Sequence, residues 1–180
     1  IFLSDGAQAN TRPDLLLQYS FVPNFIPGLY ADGTGNVSTV GDMTVDTDLS
    51  GTDLALTATG SIILNDLGEG DTLIALNSVT LNAGAELLGA GGVDAPYLYA
   101  SAGGNLTLQH TYSDQITAQA GNQVTLDNFQ DVVVSGLNST TGNVVFHNDG
   151  NVTVAGTAQA ALNLDFVVTG NLTLSGGNVV

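Results

Sequence analysis

From Gly35 to Val180 the chain alternates aliphatic and small polar residues with a period of two, in short runs led by a Gly-Asn step. The runs are Gly35-Asn36-Val37-Ser38, Gly104-Asn105-Leu106-Thr107-Leu108, Gly121-Asn122-Gln123-Val124-Thr125-Leu126 and Gly142-Asn143-Val144-Val145-Phe146. Gly150-Asn151-Val152-Thr153-Val154, Gly170-Asn171-Leu172-Thr173-Leu174 and Gly177-Asn178-Val179-Val180 complete the set. Leu54-Ala55-Leu56-Thr57, Ser61-Ile62-Ile63-Leu64 and Ser78-Val79-Thr80-Leu81 keep the pattern without its lead. Period two predicts strands whose aliphatic side faces a core and whose Thr or Ser side faces water. Glycine gives each corner backbone freedom, and asparagine tolerates left-handed geometry while bonding its own backbone. β-Branched residues and glycine in every window exclude helices.

The distance between units selects the fold. Asn105 to Asn122 is 17 residues, Asn122 to Asn143 is 21 and Asn151 to Asn171 is 20. A recurrence near 20 that holds three strand-sized segments predicts one coil of a parallel β-helix, each coil stacked on the last at roughly 4.8 Å. The 8-residue step from Asn143 to Asn151 then marks successive faces of one coil. Residues 35–180 make roughly seven coils and a rod about 34 Å long. Leu106, Val124, Val144, Val152 and Leu172 are expected in internal ladders, and Thr107, Thr125, Thr153 and Thr173 in external ones. An antiparallel sandwich would explain the alternation but not the recurrence. Gly89 to Pro96 reads as a loop leaving the rod, with Tyr97 and Tyr99 beside it as aromatic faces able to meet a sugar or to pack on the rod.

Residues 1–34 break from this composition. They hold three of the four prolines, five of the eleven Tyr and Phe residues, and the only base, Arg12. A β-helix has unpaired edges at its ends, so an irregular aromatic segment there is expected to be a cap. The alternative is a docking arm, in which Leu15, Leu17, Tyr19, Phe21 and Phe25 lie along another copy and build a head-to-tail filament. Ile1 in place of Met, and a repeat unit that stops inside its strand at Val180, are expected of a piece of a longer chain.

Charge narrows the partners. Seventeen acids against one base give a formal charge of −16 in 180 residues. Such a surface cannot neutralise phosphates or settle on anionic lipid, so nucleic acid is excluded and partners are expected to be neutral or cationic, or bridged by metal. No apolar stretch reaches the roughly 18 to 20 residues of a membrane-spanning helix. The absence of cysteine fits an extracellular location, where nothing depends on reduction.

Candidate chemistry is sparse. Eight acids lie between Asp32 and Asp71, and Asp46, Asp48 and Ser50, followed by Gly51, match the opening of a calcium loop. Position twelve of that loop is Thr57 rather than the bidentate Glu it needs, so solvated acids are the alternative and calcium is the one cofactor in view. His110 and His147 have no second ligand at helical spacing and read as surface residues at strand ends. There is no cysteine nucleophile, no Gly-x-Ser-x-Gly elbow and no phosphate-cradling Gly-Lys-Ser or Gly-Lys-Thr. The Asn-Thr-Asp, Asp-Asp, Gly-His-Gly and Arg-x-Lys motifs of β-helical pectin hydrolases are missing too. A neutral-polysaccharide-cleaving enzyme built on paired carboxylates is the remaining catalytic alternative.

The Gly-Asn-Leu-Thr-Leu units at 104–108 and 170–174, and the run Ser78 to Gly84, resemble the repeat region of filamentous haemagglutinin-type bacterial surface proteins and of autotransporter passengers. The resemblance spans roughly residues 35–180. It implies a right-handed parallel β-helix, export to the cell surface and an adhesive or scaffolding role. The Asn-Pro-Asn-Gly motif of that family's secretion domain has no counterpart in residues 1–34. The sequence therefore predicts a non-catalytic extracellular rod that meets cell-surface or matrix glycans or proteins, with the self-assembling filament as alternative.

Overall fold

The computed structural model describes residues 17–19, 34–66 and 71–180. The described residues form eighteen strands and no helix, so no helix among them is long and apolar enough to cross a membrane. In chain order these are β1 (Leu17–Tyr19), β2 (Thr34–Thr39), β3 (Met43–Val45), β4 (Leu49–Ala58), β5 (Ile62–Leu64) and β6 (Asp71–Ala83). Next come β7 (Leu87–Gly89), β8 (Gly92–Asp94), β9 (Tyr97–Ala102), β10 (Leu106–Tyr112), β11 (Gln115–Ala120) and β12 (Val124–Asn128). The last six are β13 (Val132–Ser139), β14 (Val144–Asn148), β15 (Val152–Ala160), β16 (Leu164–Val168), β17 (Leu172–Leu174) and β18 (Asn178–Val179).

These strands stack in parallel as a β-solenoid of about seven turns. One ladder runs Met43, Ile62, Leu87, Leu106, Val124, Val144, Leu164. Another runs Val37, Leu56, Leu81, Ala100, Ala118, Leu137, Ala158. From Val37 to Ala158 these inward positions are buried almost without exception, each Leu or Val stabilising the rod by about 1.5–3 kcal/mol. The expected internal positions fall in two ladders: Leu106, Val124 and Val144 share a face, while Val152 stacks on Val132 and under Leu172. Asn143 and Asn151 precede β14 and β15 of a single turn, which is why their spacing is short.

Two local expectations are corrected. Gly89 to Pro96 is not a loop: Gly92–Asp94 is a strand paired with β6 and β10, and Val93 and Ala95 are buried. The longer step lies instead between Leu64 and Leu73, since Ile62 pairs with Leu87 while Met43 pairs with Ile62. Gly35-Asn36 is not a corner either, because both residues lie inside β2 against Leu54 and Ala55.

Corners are held by a directional hydrogen-bond chain. At one corner, backbone N–H groups donate to a side-chain oxygen one turn earlier: Ser61 to Asp42 at 2.7 Å, Asn105 to Glu86 at 2.9 Å and Asn163 to Asn143 at 3.2 Å. A second corner repeats this, with Asn151 donating to Asp131 at 2.8 Å and Asn171 to Asn151 at 3.0 Å. Asp, Glu and Asn are interchangeable here because only an acceptor is required. Strand β1 pairs with β2 of the same chain, Leu17 beside Val37 and Tyr19 beside Thr39. Leu15, Phe21 and Phe25, named for a cap or docking arm, lie outside the described residues. At the other end, the inward positions Leu172, Leu174 and Val179 of the final turn are exposed.

Candidate functional site

The longest strands build one broad face, and its outward side chains form three rows. The first row runs Asp53, Ser78, Tyr97, Gln115; the second Ala55, Thr80, Tyr99, Thr117, Gly136, Thr157; the third Thr57, Asn82, Ser101, Gln119, Asn138, Gln159. At the spacing of paired strands this face measures about 24 Å along the rod and about 13 Å across. Asp53 is the single charged side chain in the three rows, on a chain of formal charge −16. No other described acid occupies these rows.

Tyr97 lies in the first of these rows and Tyr99 in the middle one, midway along the rod, two residues apart on β9 and therefore on the same side. They are 40 % and 43 % exposed. Sheet geometry favours aromatic residues at such half-covered positions. Their neighbours are hydroxyls and amides: Ser78 and Gln115 flank Tyr97, and Thr80 and Thr117 flank Tyr99. Gln119 Nε2 donates to Ser101 Oγ at 3.2 Å, and Gln115 Nε2 to Ser135 Oγ at 2.8 Å, which orders the amides beside the rings. The arrangement presents two ring faces with uncharged donors and acceptors around them, the pairing that holds a sugar ring or a neutral peptide surface.

Asp53, at the edge of the face, accepts from Ser78 Oγ at 2.6 Å and Asn77 Nδ2 at 2.7 Å. The Ser78 hydroxyl, then the Asn77 amide, holds its carboxyl below the ordinary value of 3.8. At the second corner the Asn151 backbone N–H, then its side chain, does the same for Asp131. A depressed carboxylate pKa adds stability that is present above the unfolded value and lost as pH falls through the folded one. Relief of repulsion among seventeen acids acts in the opposite direction. Asp131→Asn is therefore expected to flatten the fall in thermal midpoint below about pH 3.8. Circular-dichroism melts at half-unit pH steps check this, and an unchanged slope refutes it.

The residues named for calcium run from the end of β3 into β4. Asp46 follows β3 and accepts from Asn65 Nδ2 one turn on, Asp48 is exposed ahead of β4, and Ser50 is half-buried within β4 beside Ile74. Among the described residues no three His, Asp or Glu side chains gather closely enough to hold a metal ion. His147 Nδ1 meets Asp127 Oδ1 at 2.9 Å on the surface. His110 belongs to a feature that sequence reasoning missed: its ring stacks on Phe129 at 5.7 Å, and Tyr112 meets Phe129 at the same distance. The register shift between Leu108 and Thr111 places these rings together. The only trace of it in sequence is the broken alternation at Gln109-His110.

Compared with protein-family models, curated proteins and solved structures, the chain matches none.

Proposed function

We propose that the chain is an extracellular structural and adhesive rod, non-catalytic, that meets neutral glycans or uncharged protein surfaces through the face carrying Tyr97 and Tyr99. One observation carries this reading: a chain of charge −16 keeps a broad face almost free of acids and places two exposed aromatic rings midway along it. Neutral partners approach that face without desolvating carboxylates, and aromatic residues at the middle of a contact surface supply most of its energy. The extracellular assignment rests on the resemblance of the repeats to bacterial exoproteins and on the absence of cysteine.

The test is co-sedimentation of the intact chain with insoluble neutral polysaccharides, alongside a panel of immobilised glycans and matrix proteins. The parent chain is expected to be retained by at least one of them. Tyr97→Ser with Tyr99→Ser is expected to weaken retention by about tenfold with the β-sheet circular dichroism retained. Equal retention of the double variant overturns the assignment to this face. Release of reducing sugar from any retained polysaccharide overturns the non-catalytic reading.

A further inference from the structure

A second exposed aromatic group lies around the corner at Ser113 and Asp114, off the uncharged face. We propose that His110, Tyr112 and Phe129 form a docking site for the arginine or lysine side chains of a cationic partner protein.

The rings are held in place before any partner arrives. His110 Nδ1 donates to the Ala90 carbonyl at 3.2 Å, fixing that ring to the preceding turn. Phe129 N–H donates to the Thr111 carbonyl at 2.9 Å, which sets the Phe129 ring against both neighbours. Tyr112 and Phe129 remain 37 % and 41 % exposed. A pre-ordered ring cluster loses little entropy on binding.

Carboxylates border the rings. Asp94 pairs with Tyr112 in the ladder one turn earlier. Asp149 takes the place of Phe129 one turn later, its N–H on the Asn128 carbonyl at 2.9 Å. Asp114 stands two residues beyond Tyr112 and accepts from Gln130 Nε2 at 3.1 Å. Ring faces attract cations through their quadrupole, and acids at the rim add Coulomb attraction. An apolar partner would have to strip water from those acids, which costs free energy without return. The acids are too dispersed for a metal ion, whereas a guanidinium or ammonium on a long stem spans rings and rim together. Arg12, the only Lys or Arg in the sequence, lies outside the described residues, so none among them competes for the rings.

The probe is an acetylated, amidated hexa-arginine peptide titrated onto the intact chain by calorimetry at 0.15 M salt. Saturable binding is expected. Tyr112→Leu with Phe129→Leu is expected to weaken it about fivefold or more, and Asp94→Asn is expected to weaken it more than Asp165→Asn, an equal charge change elsewhere. Should the double variant lose its β-sheet circular dichroism, Tyr112→Leu alone carries the comparison. No saturable binding, unchanged affinity in the leucine variant, or equal losses from Asp94→Asn and Asp165→Asn overturns the proposal. Binding of a neutral oligosaccharide that is lost in the leucine variant, without peptide binding, assigns the rings to glycans and overturns it as well.

Discussion

Gly121→Ala is expected to destabilise the rod by about 2–3 kcal/mol, a loss of roughly 5–10 °C in thermal midpoint. A methyl group built on Gly121 would stand 1.9 Å from the Gly103 carbonyl oxygen and 3.0 Å from its carbon. Both neighbours are backbone, so no side chain can swing aside. The same approach recurs at Gly103 over Gly84 and at Gly84 over Thr59, at 2.1 Å and 2.2 Å. Relief would require the corner to open, stretching the bonds from Gly121 N–H to Ala102 and from Asn122 N–H to Gly104. Gly41 is the contrast, with nothing near the added methyl but a φ of +97°. Gly41→Ala is expected to cost about 1 kcal/mol through backbone strain alone. Thermal melts of the two variants separate the causes, and equal losses would show that close approach is not what the corner glycines serve.

That contrast shows where sequence reasoning reached and where it stopped. Alternation and recurrence identified strands, parallel stacking and the number of turns, because side-chain direction and coil length are properties of neighbouring residues. The corner glycines were visible, but their cause was not. Gly84, Gly103 and Gly121 do not use the left-handed backbone that glycine is free to adopt, and they are required by a carbonyl about 20 residues away. Val93 was lost in a glycine-rich stretch that looked like a loop, since only pairing with Leu73 and Thr111 reveals its strand. Tyr97 and Tyr99 could be singled out as aromatic residues beside such a stretch. The absence of acids around them could not, because it depends on the registers that bring Thr80, Thr117, Asn82 and Gln119 alongside.

Asn128 illustrates the deepest gap of this kind, and its replacement is expected to have the other large effect. Its ladder runs Leu49, Leu73, Val93, Thr111, Asn128, Asn148, Val168, so an inward apolar row turns polar for three turns and then reverts. Buried amides survive there because each polar atom is met. Asn128 Oδ1 accepts from Thr111 Oγ1 and Ser113 N–H, both at 3.0 Å, while its Nδ2 donates to Asn148 Oδ1 at 2.8 Å and to the Gln130 carbonyl at 3.0 Å. Asn128→Leu keeps the forked side-chain shape and matches the apolar members of the row, yet it leaves Ser113 N–H, the Gln130 carbonyl and Asn148 Oδ1 without these partners. The expected cost is about 4 kcal/mol, at about 1–3 kcal/mol for each stranded group less the gain from a buried leucine. Thr111 contributes little to it, because its hydroxyl keeps the Asp127 carbonyl at 3.0 Å. Asn148→Val alone is expected to cost about 2 kcal/mol, since Asn128 Nδ2 retains Gln130. In the double variant the stranded Asn148 oxygen is gone, so the two losses are expected to fall short of their sum by about 1–2 kcal/mol. Urea unfolding of the four proteins measures that coupling, with amide exchange at Ser113 as the local reporter. Strict additivity would mean that the two asparagines do not act through their shared bond, and a neutral Asn128→Leu would mean that the row tolerates leucine throughout.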